Sequence, residues 1–157
     1  MFFENLWKEI STLNEVQSIA LAGSRASEKY DEKSDYDLYI YCDTVPSDEV
    51  RKSILEKYCK YIELGNHFWE LEDNCTLKDD IDIDILYRNI DNITEELSSV
   101  VEKYNAHNGY TTCIWHNVLH SKILYEKNDK FKKMQNRFSV PYPEKLKENI
   151  IEKNMNL

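Results

Sequence analysis

The chain has 157 residues, 41% of them hydrophobic, and a formal net charge of -9, enough for one real core but not for two. A sequence pI near 5.0 disfavours a long nucleic acid as partner, because gripping its backbone calls for clustered basic side chains. No apolar run approaches membrane-spanning length, and Met1-Phe2-Phe3-Glu4-Asn5-Leu6 lacks the basic region and long apolar stretch of a signal peptide, so a cytoplasmic location is expected.

Residues 3–13 space Phe3, Leu6, Trp7, Ile10 and Leu13 at threes and fours, which predicts an amphipathic helix. Residues 16–22 are apolar-rich and read as a strand that runs into Gly23-Ser24, and the β-branched and aromatic run 36–42 reads as another. Pro46 and Ser47 open a predicted helix to about Tyr61, with Val50, Ile54, Leu55, Tyr58, Cys59 and Ile62 on one face. His67 to Leu71 alternates weakly as a strand. Residues 81–87 alternate strictly, with Ile81, Ile83 and Ile85 on one face and Asp82 and Asp84 on the other. Residues 89–104 return to helical spacing through Ile93, Leu97, Val100, Val101 and Tyr104. Gly109 to His120 begins with a breaker and becomes apolar enough for a buried helix. Ile123-Leu124-Tyr125 reads as a short edge strand, and Pro141-Tyr142-Pro143 as a stiff connection into a last helix through Leu146, Ile150 and Ile151. Together these predict an α+β fold, a mixed sheet with helices mainly on one face plus C-terminal helices. A core over residues 1–105 and a helical extension over 106–157 are expected to form one compact unit.

The chemistry is concentrated in two places. Asp35 and Asp37 open the strand 36–42, and side chains two apart on a strand share a face. Two carboxylates held that close repel unless they share a cation or one keeps a proton. Oxygen-only ligands favour a hard ion, magnesium first. Gly23 supplies backbone freedom where the chain must approach a ligand closely, and Ser24 offers a hydroxyl and an amide to phosphate oxygens at the start of a short helix. Two-metal phosphoryl or nucleotidyl transfer needs a third carboxylate. Asp82 and Asp84 both qualify; Asp84 is favoured because it lies deeper in its strand, ahead of Ile85-Leu86, where an unpaired charge is costly.

Gly-Ser, ten intervening residues, Asp-x-Asp and a later Asp in an apolar strand resemble the signature of the DNA polymerase β-like nucleotidyltransferase superfamily. Ser34-Asp35-Tyr36-Asp37-Leu38 looks most like its small bacterial members, the aminoglycoside and lincosamide nucleotidyltransferases and the minimal nucleotidyltransferase proteins. The likeness covers about residues 16 to 88. It implies a nucleotidyltransferase fold in which Asp35, Asp37 and Asp84 hold two magnesium ions, while Gly23 and Ser24 bind the nucleoside triphosphate; Arg25, directly after them, is a further candidate for nucleotide binding by its position. The implied reaction moves a nucleoside monophosphate to a hydroxyl of a small acceptor. The acidic composition suits a cationic acceptor such as an antibiotic. Relatives often carry a larger helical domain that contacts the acceptor, and here residues 106–157 must serve. The alternative is a minimal subunit that works with a helical partner protein, as in toxin and antitoxin pairs; a homodimer is a further candidate assembly.

Bland readings stand beside several of these residues. Arg25 either clamps a phosphate oxygen or pairs with Glu28 or Glu32. Glu70 and Glu72 are candidates for holding the acceptor, and the eleven tyrosines and three tryptophans for stacking a base, although aromatics at core spacing mostly pack. Cys42, Cys59, Cys75 and Cys113 contain no Cys-x-x-Cys and read as free buried thiols. His116 and His120 are four apart, but Asn117 stands where a zinc protease needs glutamate, so ordinary packing or surface histidines are the expectation.

Overall fold

The computed structural model describes residues 1–27, 31–67, 70–106 and 112–155. The amphipathic N-terminal segment forms α1 (Phe2–Ile10), burying Phe3, Leu6 and Ile10. β1 (Val16–Ala22) is buried throughout and passes into a single 3-10 turn at Gly23–Ala26. β2 (Tyr36–Cys42) follows. α2 (Asp48–Tyr58) is capped by Ser47, whose side chain accepts from the Val50 amide, the arrangement that satisfies an otherwise orphaned donor.

α2 is shorter than the sequence pattern predicts. The chain turns directly from Tyr58 into β3 (Cys59–His67), so Ile62 belongs to a strand and Val50 is exposed. The stretch from Tyr58 to Leu64 satisfies helical and alternating spacing about equally, and pairing with β4 (Leu71–Leu77) decides it. His67 and Leu71 are cross-strand partners that close the β3–β4 hairpin rather than ends of one strand; Phe68 and Trp69 of that expectation lie outside the described residues. β5 (Asp82–Arg88) completes the acidic strand.

α3 (Ile90–Leu97) starts at the Asn89 cap and continues into a π-helical turn, Ser98–Glu102. α4 (Cys113–His120), β6 (Lys122–Glu126), α5 (Lys130–Phe138) and α6 (Glu144–Met155) follow. The start of the predicted helix, Gly109 to Thr111, is outside the described residues. α5 was not visible as a pattern among lysines, yet Phe131, Met134 and Phe138 sit at spacings of three and four and are buried.

The sheet runs β3-β4-β5-β2-β1-β6. Only β2 and β5 pair in parallel; every other neighbouring pair is antiparallel. Residues 106–157 therefore supply an edge strand as well as helices. One face of the sheet, through Leu38, Ile40, Ile83 and Ile85, packs on α1 and α2. The opposite face meets α3 to α6 through Ala20 and Tyr41, with Tyr39 and Ile123 packed alongside. The acidic end of this second face carries Asp37 and Asp84.

Candidate active site

In the parallel pair β2–β5, Asp37 lies directly across from Asp84, and Asp37 in turn faces Ala22 of β1. Cross-strand partners project from the same face, so the row Ala22, Asp37, Asp84 and Asn74 crosses four strands at one level. Asn74 Nδ2 donates to Asp84 Oδ1 at 2.8 Å and its carbonyl accepts from Asn66 Nδ2 at 2.7 Å. Asp82 lies two residues nearer the strand start, exposed and hydrogen-bonded to the Thr76 hydroxyl at 2.8 Å.

The electrostatics follow from this packing. The Asp37 carboxyl is pushed up to about 6, first by burial and then by Asp84, Asp35 and Glu72. Asp35, exposed at the mouth of β2, is also raised, by partial burial and by Asp82 and Asp84, with Arg25 opposing. The raising of Asp35 and Asp37 by neighbouring carboxylates marks a cluster of like charge. All-oxygen donors and surplus negative charge fit a hard divalent cation held by Asp35, Asp37 and Asp84. Among the described residues, no three His, Cys, Asp or Glu side chains already converge as a preformed metal site; register brings these carboxylates side by side, and Asn74 draws Asp84 toward β4.

Gly23 is fitted to Asp37. Its φ is +69°, and a Cβ built there stands 3.1 Å from Asp37 Cγ and closer still to Oδ2. Glycine is thus needed both for the left-handed turn and for the approach of the carboxylate. Arg25 reaches the loop ahead of β2. Its Nε donates to the Ser34 carbonyl at 2.6 Å, Nη2 to the Glu32 carbonyl at 2.8 Å and Nη1 to the Tyr36 hydroxyl at 3.2 Å. Its Cζ lies 4.1 Å from the Tyr36 ring centroid, and that ring stacks on Phe3 at 3.8 Å. Arg25 therefore fastens the segment that delivers Asp35. Glu28, the other partner considered for it, lies outside the described residues.

Two adjoining cavities open beside residues that neighbour Asp37 and Asp84 on this face of the sheet. One, of about 590 Å³, lies between Ala22 and Gly23 on one side and α4 on the other, lined there by Thr112, Cys113, His116, Asn117 and His120. The second, of about 580 Å³, shares Cys113 and Asn117 and reaches over Tyr39 and Leu86 to Glu70, Arg88 and Glu96. Cys113 is exposed, unlike the other three cysteines, which are buried free thiols as expected. His116 and His120 are exposed side chains on the first cavity, not core residues.

Sequence reasoning missed Arg88. It is buried, and grips Glu70 with Nε and Nη2 at 2.7 and 2.9 Å, while Nη1 donates to Tyr41 Oη at 3.2 Å and Asn117 Oδ1 at 2.9 Å. Burial alone disfavours the guanidinium charge, but these partners outweigh it and raise its pKa. The even spacing Asp84, Leu86, Arg88 was the available signal for a shared face. Glu70 is thus a partner of Arg88, and Glu72 an influence on Asp37, before either touches an acceptor.

A model of the nucleotidyltransferase domain matches residues 3–154, nearly the whole chain. The chain belongs to the nucleotidyltransferase domain family. Among solved structures this chain is similar to a chain in the "structure of GLD-2/RNP-8 complex", with 14% identity, a TM-score of 0.38, and coverage of 74% of this chain and 46% of that one. It thus spans less than half of that protein's length. Comparison with curated protein sequences finds no match. Among the described residues no helix is long and apolar enough to cross a membrane.

Proposed function

We propose that this chain is a magnesium-dependent nucleotidyltransferase that moves a nucleoside monophosphate from a nucleoside triphosphate to a hydroxyl of a small, cationic acceptor, in the manner of the small bacterial antibiotic-modifying members. The observation that carries the reading is the in-register pair Asp37–Asp84 with Gly23 pressed against Asp37. A glycine turn this close to paired carboxylates supports a phosphate-accommodating role for Gly23 and Ser24.

Asp35, Asp37 and Asp84 would hold two divalent ions, which when bound supply charge neutralisation on the phosphates and acidify the attacking hydroxyl. Asp84, opposite Asp37 and deeper than Asp82, is the better third carboxylate. Gly23 and Ser24 approach the triphosphate. The acceptor oxygen bonds to the α-phosphorus in line with the departing pyrophosphate, whose bridging bond breaks. A carboxylate oxygen of Asp84 accepts the hydroxyl proton and returns it to water. Asn74 orients that carboxylate through its 2.8 Å hydrogen bond.

The cavity over Tyr39 and Leu86 suits the acceptor. Its floor is a ring and an aliphatic chain, and Glu70 and Glu96 line its walls, a setting for a polar cation. Action beside a helical partner protein is the second reading. Exposed apolar side chains in the C-terminal segment, Val140, Tyr142, Ile151 and Met155, favour it. A cytoplasmic setting accords with both readings.

Thermal stabilisation by ATP, GTP, CTP and UTP with and without magnesium tests the site. The expected result is a magnesium-dependent rise for at least one nucleotide, absent from the Asp35→Asn, Asp37→Asn double variant. Acceptors are then screened for nucleotidyl incorporation from the labelled preferred triphosphate. No stabilisation in any condition removes this reading.

A further inference from the structure

We propose that His116 and His120 bind the β- and γ-phosphates of the nucleoside triphosphate, forming the wall of the nucleotide pocket opposite Gly23. This deepens the nucleotidyltransferase reading and rests on it.

Placement is the first ground. Positions 113, 116, 117 and 120 fall on one face of α4, at helical spacings of three and four. That face lines the same 590 Å³ cavity as Ala22 and Gly23, so the histidines look across the cavity at the turn assigned to phosphate.

Charge is the second. A triphosphate is a polyanion entering beside Asp35, Asp37 and Asp84, and divalent ions offset only part of the combined charge. Among the described residues lining this cavity, His116 and His120 alone can carry a positive charge. Arg25, the nearest arginine in sequence to the turn, spends its three nitrogens on the Ser34 and Glu32 carbonyls and the Tyr36 hydroxyl. Lys122 is the cross-strand partner of Leu21, which belongs to the core on the other face of the sheet.

Geometry is the third. The two rings stack with centroids 4.0 Å apart and planes 25° from parallel. Two imidazoles held this close can serve neighbouring phosphate groups of one triphosphate. A metal ion needs lone pairs that converge, and among the described residues no ligand group of that kind exists. His120 Nδ1 lies 2.8 Å from the His116 carbonyl, so Nδ1 donates to the backbone and Nε2 is left for a ligand. With a proton there, Nε2–H donates to a phosphate oxygen as a charge-assisted hydrogen bond.

The test is calorimetric binding, with magnesium, of a non-hydrolysable nucleoside α,β-methylene triphosphate and of the corresponding monophosphate. Wild type, His116→Asn/His120→Asn, His116→Arg and Asp37→Asn are compared, with folding checked by circular dichroism. The expected result is a loss of at least about tenfold in triphosphate affinity in the double Asn variant, equivalent to about 1.4 kcal/mol, with monophosphate affinity changed little. His116→Arg, which keeps a donor and a charge, should retain triphosphate binding and keeps the test alive if the double variant folds poorly. Unchanged triphosphate affinity in the double variant, or an equal loss for both ligands, overturns the phosphate assignment while leaving the nucleotidyltransferase reading intact. Failure of wild type to bind any triphosphate overturns both.

Discussion

At position 23 the backbone and a neighbouring carboxylate make the same demand. The φ of +69° costs an alanine about 1–2 kcal/mol, and its methyl would also collide with Asp37. Gly23→Ala should therefore lower stability by about 1–2 kcal/mol or more in urea denaturation and weaken magnesium-dependent nucleotide binding, because Asp37 must move. Asp37 itself predicts a pH effect. Its carboxyl is raised from the ordinary 3.8 to about 6, so between those values the folded chain holds a proton that the unfolded chain has released. Stability from this group is full below the lower value and is lost as pH rises through the upper one. Asp37→Asn should flatten that decline and, in EDTA at neutral pH, make the chain more stable by on the order of 1 kcal/mol, the side chain being only half-buried and the repulsion partly screened. Urea denaturation from pH 4 to 7.5 checks this; parallel curves for the two chains would mean that Asp37 carries no such repulsion.

Between elements, the side of the sheet away from the site is tied by a charge buried completely. Asp73 of β4 accepts from Arg51 Nε and Nη2 of α2 at 2.9 and 3.2 Å, from the Tyr87 hydroxyl of β5 at 2.8 Å and from the Gly65 amide of β3 at 2.9 Å. Asp73→Ala leaves Arg51, itself 4% exposed, buried without its main partner, and should cost about 3–5 kcal/mol in equilibrium unfolding. None of this was legible in the sequence, because it depends on which strands become neighbours. β1, β2 and β5 were legible since their patterns are strong and local, and with them the placement of Asp37 and Asp84 on the strands and of Asp35 just ahead of β2. β3 was hidden by an amphipathic stretch equally at home in a helix, and α5 by its lysines. In the site, Asn74 and the Glu70–Arg88 pair come from register, and the histidines gain meaning only when α4 is folded back over Gly23. The Gly-Ser turn and Asp-x-Asp could be read because a single short segment holds both.

Across the whole molecule, the one parallel pairing joins two antiparallel halves, β3-β4-β5 and β2-β1-β6, and the carboxylates stand on that seam. Helices pack on both faces, and the two cavities open along the same face as Asp37 and Asp84, one at Ala22 and Gly23 and the other over Tyr39 and Leu86. The net charge of -9 and the carboxylates at that entrance draw cations toward it. Glu70 adds less than its formal charge, because Arg88 holds it bidentately; the attraction comes mainly from Glu96, Glu72 and any aspartate not offset by metal. Exposed charges of this kind act over about 8 Å at physiological ionic strength and farther in dilute buffer. The KM for a polycationic acceptor should therefore rise several-fold from low to physiological salt, whereas that for a neutral hydroxylated acceptor should hardly change. Steady-state kinetics at constant free magnesium separates the cases. A KM insensitive to salt for every productive acceptor would place recognition in the apolar floor of Tyr39 and Leu86, and would make the acidic surface a matter of solubility alone.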